Sequence, residues 1–346
     1  MNKKNTRIMT GIIAAASLVV ALFFFRPSGW VEADSGNRLL MGTFARIVAV
    51  AADSSTAKKC IEAGFEQLEL VNNSMSDYKA DSELSRVNRR ACEGAVKVSE
   101  PLFEVLQRAV AFSRETNGAF DVTVGPLVDL FHSAGNKGVA PGEEEIAQTR
   151  LKTGFEKLKL DEQNRTVKFA VDGMRLDLGG IAKGYGIDKA VEAMQECGAV
   201  GGMVDVGGDI RCFGVPAGGK EHWLIGLQDP NDTKEVIGTG KALLVLKLSD
   251  AAIATSGDYR RFTLIDGKRY SHIVNTKAGY SGGLTSVTVI SKNATDADAL
   301  ATAVSVMGAE KGLALIEVMP GTEAILIPSK AGSILIKTSG AEKYIK

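Results

Sequence analysis

Several stretches of this chain combine residue types suited to handling charge. In Leu176-Asp177-Leu178-Gly179-Gly180-Ile181-Ala182-Lys183-Gly184-Tyr185 a strand-like run ends in glycines and a helix begins. Such a junction leaves backbone N–H groups free at the positive end of a helix, which suits an anion. Lys183 in the first turn works against the helix dipole, a conflict that a phosphate or carboxylate partner would relieve. The spacing fits neither G-x-x-x-x-G-K-[ST] nor G-x-G-x-x-G, so neither a P-loop nor a Rossmann turn is indicated. An ordinary glycine turn into a helix explains the stretch equally well. In Ala297-Asp298-Ala299-Leu300-Ala301-Thr302, Asp298 and Thr302 are four residues apart and share one helix face. A carboxylate and a hydroxyl are hard oxygen ligands, the kind Mg²⁺ takes when it keeps waters or binds through phosphates. Taken alone, Asp296 and Asp298 read more simply as acidic residues at a helix start. A third group is Thr255-Ser256-Gly257-Asp258-Tyr259 with Tyr270-Ser271-His272-Ile273-Val274. His272 sits among small and polar residues, and histidine is a side chain suited to proton transfer near neutral pH, although a lone histidine is more often structural. A fourth, Gly118 to Leu127, carries Asp121 just beyond a helix end and by itself reads as a loop from helix to strand.

The surrounding elements must position these groups. Thr43 to Val50 has the β-branched, alternating character of a strand. Ile61, Phe65, Leu68 and Val71 form a helical stripe within Thr56–Val71. Ser99-Glu100-Pro101 opens a helix, with Ser as cap and Pro in the first turn, and Asn117-Gly118 stops it. A weaker, charged helix spans 142–152, and 157–178 reads as strands around an Asp-Glu-Gln-Asn turn. The helix at 181–197 is followed by glycine-punctuated strands at 202–213 and 223–227. From 242 to 290 the pattern is mainly β, with Asp266-Gly267 as a hairpin turn. A helix at 295–307 and short strands at 324–327 and 334–336 complete the chain.

Lys plus Arg equals Asp plus Glu at 41 each, a balance that argues against nucleic acid as the main partner. The 38 glycines, without a collagen period, point to many tight turns and close backbone approaches. Lys3, Lys4 and Arg7 precede an apolar run from Ile8 to Phe25, about the ~18-residue minimum for a membrane span. The positive-inside rule then places the rest of the chain outside the cytoplasm, on the periplasmic face of the inner membrane. A cleaved signal gives the same compartment. None of the four cysteines forms a C-x-x-C pair; Cys197 and Cys212 could bond in an oxidising compartment, but buried thiols suffice. The chain therefore reads as a signal or membrane anchor at 1–30 and one α+β domain at 31–346. That domain has mixed sheets and flanking helices, and the sequence does not mark whether it divides into two lobes.

Taken together and in order, these segments resemble the FAD:protein FMN transferase family, the ApbE family. The matching segments are Met41-Gly42-Thr43, Ser76-Asp77-Tyr78, the Gly118–Leu127 stretch, Asp177–Tyr185, Val204–Asp209, Thr255–Tyr259, Ser271–Val274 and Ala297–Thr302. The resemblance runs from about residue 38 to the end. It implies FAD as substrate, contacted by Met41, Tyr78, Ala119, Phe120, Asp121, Asp177, Lys183 and Val274. It also implies Mg²⁺ at the pyrophosphate, held by the Gly180 carbonyl, Asp298 and Thr302, with Ala301 alongside. One departure is visible: Asn275-Thr276 stands where the family commonly has Asp-Pro, before Lys277-Ala278-Gly279.

The implied reaction is attack of a Thr or Ser hydroxyl of an acceptor protein on the FMN-side phosphorus of FAD, with AMP leaving. Lys183 and the helix start would offset phosphate charge, and His272 would take the hydroxyl proton, with Asp258 or Asp209 as alternatives. The acceptor implied is a protein with a flavinylation motif, such as a membrane redox-pump subunit. Two other readings remain at this point: an FAD pyrophosphatase giving FMN and AMP, and a non-catalytic flavin-binding or delivery protein. The second has little use for a metal site.

Overall fold

The computed structural model describes residues 29–230, 242–257, 262–265, 268–271, 283–329 and 334–346. The expected membrane segment at 8–25, the Asp266-Gly267 turn, Asp258, Tyr259, His272, Val274 and the Asn275-Thr276 departure all lie outside the described residues. Among the described residues no helix is long and apolar enough to cross a membrane.

The chain begins with β1 (Val31–Asp34), β2 (Arg38–Leu40) and β3 (Thr43–Ala51), then α1 (Ser54–Met75) and α2 (Glu83–Arg90). Next come β4 (Val96–Lys97), α3 (Glu100–Glu115), α4 (Gly125–Lys137), α5 (Glu143–Arg150), β5 (Leu158–Asp161) and β6 (Thr166–Phe169). The helix α6 (Ala182–Glu196) leads to β7 (Gly201–Val206), β8 (Asp209–Phe213), β9 (Trp223–Gln228), β10 (Ala242–Leu248) and β11 (Ala251–Gly257). The remainder is β12 (Phe262–Ile265), β13 (Lys268–Ser271), β14 (Leu284–Ser291), α7 (Ala294–Met307), α8 (Ala309–Glu317), β15 (Glu323–Pro328) and β16 (Ile336–Lys337).

A nine-stranded sheet in the order β1-β3-β7-β8-β11-β14-β15-β16, with β2 also on β3, organises the molecule. Strand residues alternate between two apolar layers, as the two-residue period of a strand requires. Ile47, Ala49, Ala252, Ala254, Val287 and Val289 face the main core built with α1, α3, α6 and α7. Val48, Val50, Ile253 and Ile290 face the second core, under the β9–β10 hairpin with Trp223, Ile225 and Leu246. Burial on both faces is why these strands read as nearly continuous apolar runs.

Two close contacts lock α6 to α7. A Cβ on Gly184 would lie 2.2 Å from the Ala294 carbonyl oxygen, so only glycine lets the helices approach this closely. One turn further along α6, the Asp188 carboxylate accepts the N–H groups of Ala294 (2.8 Å) and Thr295 (2.9 Å) and the Thr295 hydroxyl. Arg211 of β8 donates to the same carboxylate at 2.7 Å. Four donors on one buried carboxylate fix where α7 starts, and hence where Asp298 and Thr302 lie.

Three local expectations change. Gly125-Pro126 opens the helix α4 rather than leading into a strand, with Pro in its first turn. The segment after β6 is not a strand through Leu178; Leu176 is instead held by the Asn88 side chain, which accepts its N–H at 2.8 Å and donates to its carbonyl at 3.0 Å. The Ser99 hydroxyl does not cap α3 but donates to Glu83. The end of α3 is as expected: the Gly118 N–H reaches the Ser113 carbonyl at 2.7 Å and the Asn117 N–H reaches Arg114 at 3.2 Å, with Asn117 at φ 51°. This is a Schellman stop. All four cysteines are free thiols, and Cys197 adjoins Cys60.

Candidate functional site

Two tight hairpins shape one end of the sheet. Leu40 pairs with Thr43 across Met41-Gly42, and Val206 pairs with Asp209 across Gly207-Gly208. All four turn residues have positive φ, 52° and 69° in the first turn and 66° and 91° in the second, as a two-residue hairpin of this hand requires. A methionine rarely adopts this conformation, so the turn holds Met41 at a cost. Its sulfur lies 3.6 Å from the position a Cβ on Gly186 of α6 would take. The turns also touch: a Cβ on Gly207 would stand 2.9 Å from the Thr43 side chain.

Behind the second turn is a buried charged cluster. Asp209 (3% exposed) and Asp298 (4% exposed) both face the Lys183 ammonium. Lys183 donates to Asp209 Oδ2 in a short contact and approaches Asp298 Oδ1 at 3.5 Å. Asp209 Oδ1 accepts the Thr255 N–H at 3.0 Å, and Asp298 Oδ2 accepts the Gly184 N–H at 3.1 Å. The start of α6, which lacks a side-chain cap of its own, is therefore capped by a carboxylate from α7. Burial pushes the Asp298 carboxyl up to about 6, with Asp209 adding to the rise and Lys183 and the Gly184 N–H opposing it. Burial also works against the Lys183 charge, but the two carboxylates outweigh it and raise the ammonium above its ordinary value.

Thr302 lies one turn beyond Asp298. A Cβ on Gly180 would meet Thr302 Oγ1 at 3.0 Å and the Phe120 ring at 3.4 Å, and Ser256 Oγ is 3.4 Å from Thr302 Oγ1. Gly180, Lys183, Asp298 and Thr302 are thus brought together, with Phe120 against the glycine turn. Phe120 is itself fixed by an edge-on contact with Phe112 at 6.0 Å between ring centres and by donation of its N–H to Thr116 Oγ1 at 3.0 Å.

Asp177, Tyr78, Ala119 and Asp121 are the other expected contact residues among those described. Asp177 donates its N–H to the Val122 carbonyl at 2.8 Å, while its carboxylate accepts the Gly179 N–H at 2.7 Å and shapes the turn into α6. Burial, then the Asp77 charge, raises its carboxyl above the usual range. Arg175, missed in the sequence, bonds Asp77 (2.9 Å) and Asp129 (2.7 Å), tying the segment before Tyr78 to that turn. Tyr78 is exposed and Ala119 half-buried.

The Asp121 carboxylate accepts three donors: the Thr123 N–H (2.8 Å), the Thr123 hydroxyl (2.7 Å) and the Phe155 N–H (3.0 Å). Its local task is to hold the loop that carries Ala119 and Phe120. Asp121→Ala leaves these buried donors without their acceptor and should cost about 1–3 kcal/mol of stability. Denaturant unfolding checks this; an unchanged midpoint would leave Asp121 with no structural part.

Asp188, Arg211 and Asn88 were also not singled out from the sequence. Asp188 had a signal, since it interrupts the apolar stripe of α6. The others act through tertiary contacts with no local pattern.

A model of the ApbE family matches residues 41–326. The chain is 35% identical over 311 residues to an FAD:protein FMN transferase of Vibrio cholerae, covering 88% of this chain and 90% of that one. An FAD:protein FMN transferase of Haemophilus influenzae is 31% identical over 344 residues, covering 97% and 98%. Among solved structures, the flavin transferase ApbE from Vibrio cholerae has a TM-score of 0.77 at 32% identity, across 91% of this chain and 99% of its own. The ApbE protein of Thermotoga maritima has a TM-score of 0.80 at 31% identity, across 92% and 99%. The α+β architecture is shared with these solved structures, and the chain belongs to the ApbE family, a family of FAD:protein FMN transferases.

Proposed function

We propose that this protein transfers FMN from FAD to a Thr or Ser hydroxyl of an acceptor protein, in a Mg²⁺-dependent displacement that forms a phosphoester and releases AMP. The observation that carries this reading is the convergence of Lys183, Asp298, Thr302 and Gly180 on the start of α6. In the reaction the acceptor oxygen forms a bond to the FMN phosphorus, the bond from that phosphorus to the bridging oxygen breaks, and the oxygen leaves with AMP.

The donor set fits Mg²⁺. Asp298 supplies a buried carboxylate, Thr302 a hydroxyl and Gly180 a carbonyl, all hard oxygens. Among the described residues no three His, Cys, Asp or Glu side chains gather into a complete cage, so phosphate and water would fill the remaining positions. When bound, Mg²⁺ neutralises pyrophosphate charge and orients the displacement. Lys183 offsets the charge of the phosphate oxygens, Phe120 backs the glycine turn, and Met41 and Tyr78 contribute flavin-side contacts. Mixing the enzyme with FAD, acceptor and Mg²⁺ tests the reading: flavin fluorescence should appear on the denatured acceptor band and vanish with EDTA. Labelling indifferent to EDTA would remove the metal from the account.

His272 is the proposed general base, because an unperturbed imidazole accepts a proton near neutral pH. His272→Ala should then keep FAD affinity and lower kcat by roughly 10²–10⁴-fold. Equal loss of FAD binding would make it a binding residue, and unchanged turnover would pass the role to Asp258 or Asp209.

The proposed location is the periplasmic face of the inner membrane, supported by Lys3, Lys4, Arg7 and the apolar run that follows. Removing residues 1–30 should yield a protein that stays in solution and still binds FAD. Loss of folding on that truncation would assign the segment to the core.

A further inference from the structure

The Lys183 contacts are uneven in a way that bears on how the metal enters. Asp209 is engaged through both carboxylate oxygens: one takes the Thr255 N–H at 3.0 Å and the other takes the Lys183 ammonium in a short bond. Asp298 is held differently. Its Oδ2 accepts the Gly184 N–H at 3.1 Å, whereas the contact of its Oδ1 with Lys183 is long, at 3.5 Å. Both carboxylates are almost wholly buried, and buried carboxylates need a nearby cation. In the protein alone that cation is Lys183. We infer that the Lys183 ammonium serves Asp298 as an internal counter-cation in the metal-free protein, and that it stays with Asp209 and yields Asp298 Oδ1 when Mg²⁺ binds together with FAD. This rests on the Mg²⁺-dependent reading above.

The consequence is a linkage between the two ligands. Without FAD, Mg²⁺ must approach a carboxylate already neutralised by a fixed ammonium, and the two cations repel. The FAD pyrophosphate brings the negative charge that lets both cations sit side by side. Lys183 therefore opposes metal binding to the empty protein and favours it in the FAD complex. By reciprocity each ligand strengthens the other, over the roughly 5–150-fold range usual for coupled sites.

The test uses full-length protein in detergent and calorimetric titration with Mg²⁺ alone. Lys183→Met by itself leaves two buried carboxylates unpaired and can fail to fold. The decisive variant is therefore the double substitution K183M/D209N, which removes one charge of each sign and keeps the net charge of the cluster. Without FAD it should bind Mg²⁺ roughly 10- to 100-fold more tightly than the wild type, and FAD should improve its Mg²⁺ affinity correspondingly less. Adding Asp298→Asn to that variant should erase the gain. Binding no tighter than wild type would overturn the inference, as would a gain that survives Asp298→Asn. Failure of the underlying reading looks different: wild-type enzyme would then transfer FMN at an undiminished rate in EDTA.

Discussion

Asp298→Ala should lower FMN transfer by at least roughly 10²–10³-fold, the loss typical when one group stabilising transition-state charge is removed. Asp298 is the one carboxylate that shares a helix face with Thr302 and touches both Lys183 and the α6 start. The substitution takes away the charged metal ligand, the cap on the Gly184 N–H and one of the two partners of Lys183. The lost cap contributes a stability cost of about 0.5–2 kcal/mol, too small to unfold an ordinary domain of this size. The variant should therefore remain folded and still be nearly inactive. Excess Mg²⁺ should recover little, because no neutral replacement restores the charge. Thr302→Ala removes a neutral ligand that water can replace, so its defect should be smaller and largely recovered by added Mg²⁺. Steady-state rates across a Mg²⁺ series separate the two. A wild-type rate for Asp298→Ala at limiting Mg²⁺ would withdraw the metal site from these residues.

Gly184→Ala should be almost as damaging by a different route. The added Cβ would stand 2.2 Å from the Ala294 carbonyl oxygen, 2.6 Å from its carbon and 2.8 Å from the Thr295 Cα. These are backbone atoms, pinned by the Asp188 carboxylate, so no side chain can turn aside. Overpacking of a rigid contact costs about 1–3 kcal/mol, and this one belongs at the top of that range. The helices must separate, which carries Lys183 and the Gly184 N–H away from Asp298. A misplacement near 1 Å costs about 10²-fold in rate. The expected result is a lowered Tm together with a drop in transfer that persists well below the new Tm. Wild-type stability would show that the two helices do not meet as closely as described.

The candidate site residues came from the family resemblance, since each local pattern alone read equally or more simply as an ordinary helix start. The glycine turn at 179–180 with Lys183 three residues on, and Asp298 with Thr302 one turn apart, are patterns within single elements. The structure adds the meeting of those elements, which no periodicity reveals. Lys183 read as a phosphate ligand; its bonds to Asp209 and Asp298 join α6, β8 and α7. Asp188 is the plainest case, since its four donors come from positions 211, 294 and 295.

The fold followed the same division. The helix expected at 295–307 and the strand expected at 43–50 were visible through periodicity, whereas the sheet's short strands β1 and β2 were not singled out. The helix α4 was not, because the short run after Gly125-Pro126 looks like a turn unless its satellite cluster of Leu127 and Phe131 with Ile146 of α5 is known. The run up to Leu178 was expected as strand, but Leu176 finds its backbone partners in the side chain of Asn88, far away in sequence.

A protein hydroxyl and water are the two candidate acceptors of the FMN, and the proposed transfer requires the hydroxyl. The most direct measurement is the fate of the flavin in a single reaction of enzyme, FAD, Mg²⁺ and acceptor, followed by peptide mass spectrometry and nucleotide chromatography. The expected result is one acceptor Thr or Ser carrying FMN through a phosphoester, AMP formed in equal amount, and both products lost in Asp298→Ala. Free FMN and AMP accumulating with the acceptor unmodified would contradict it, and would make the protein a hydrolase of FAD.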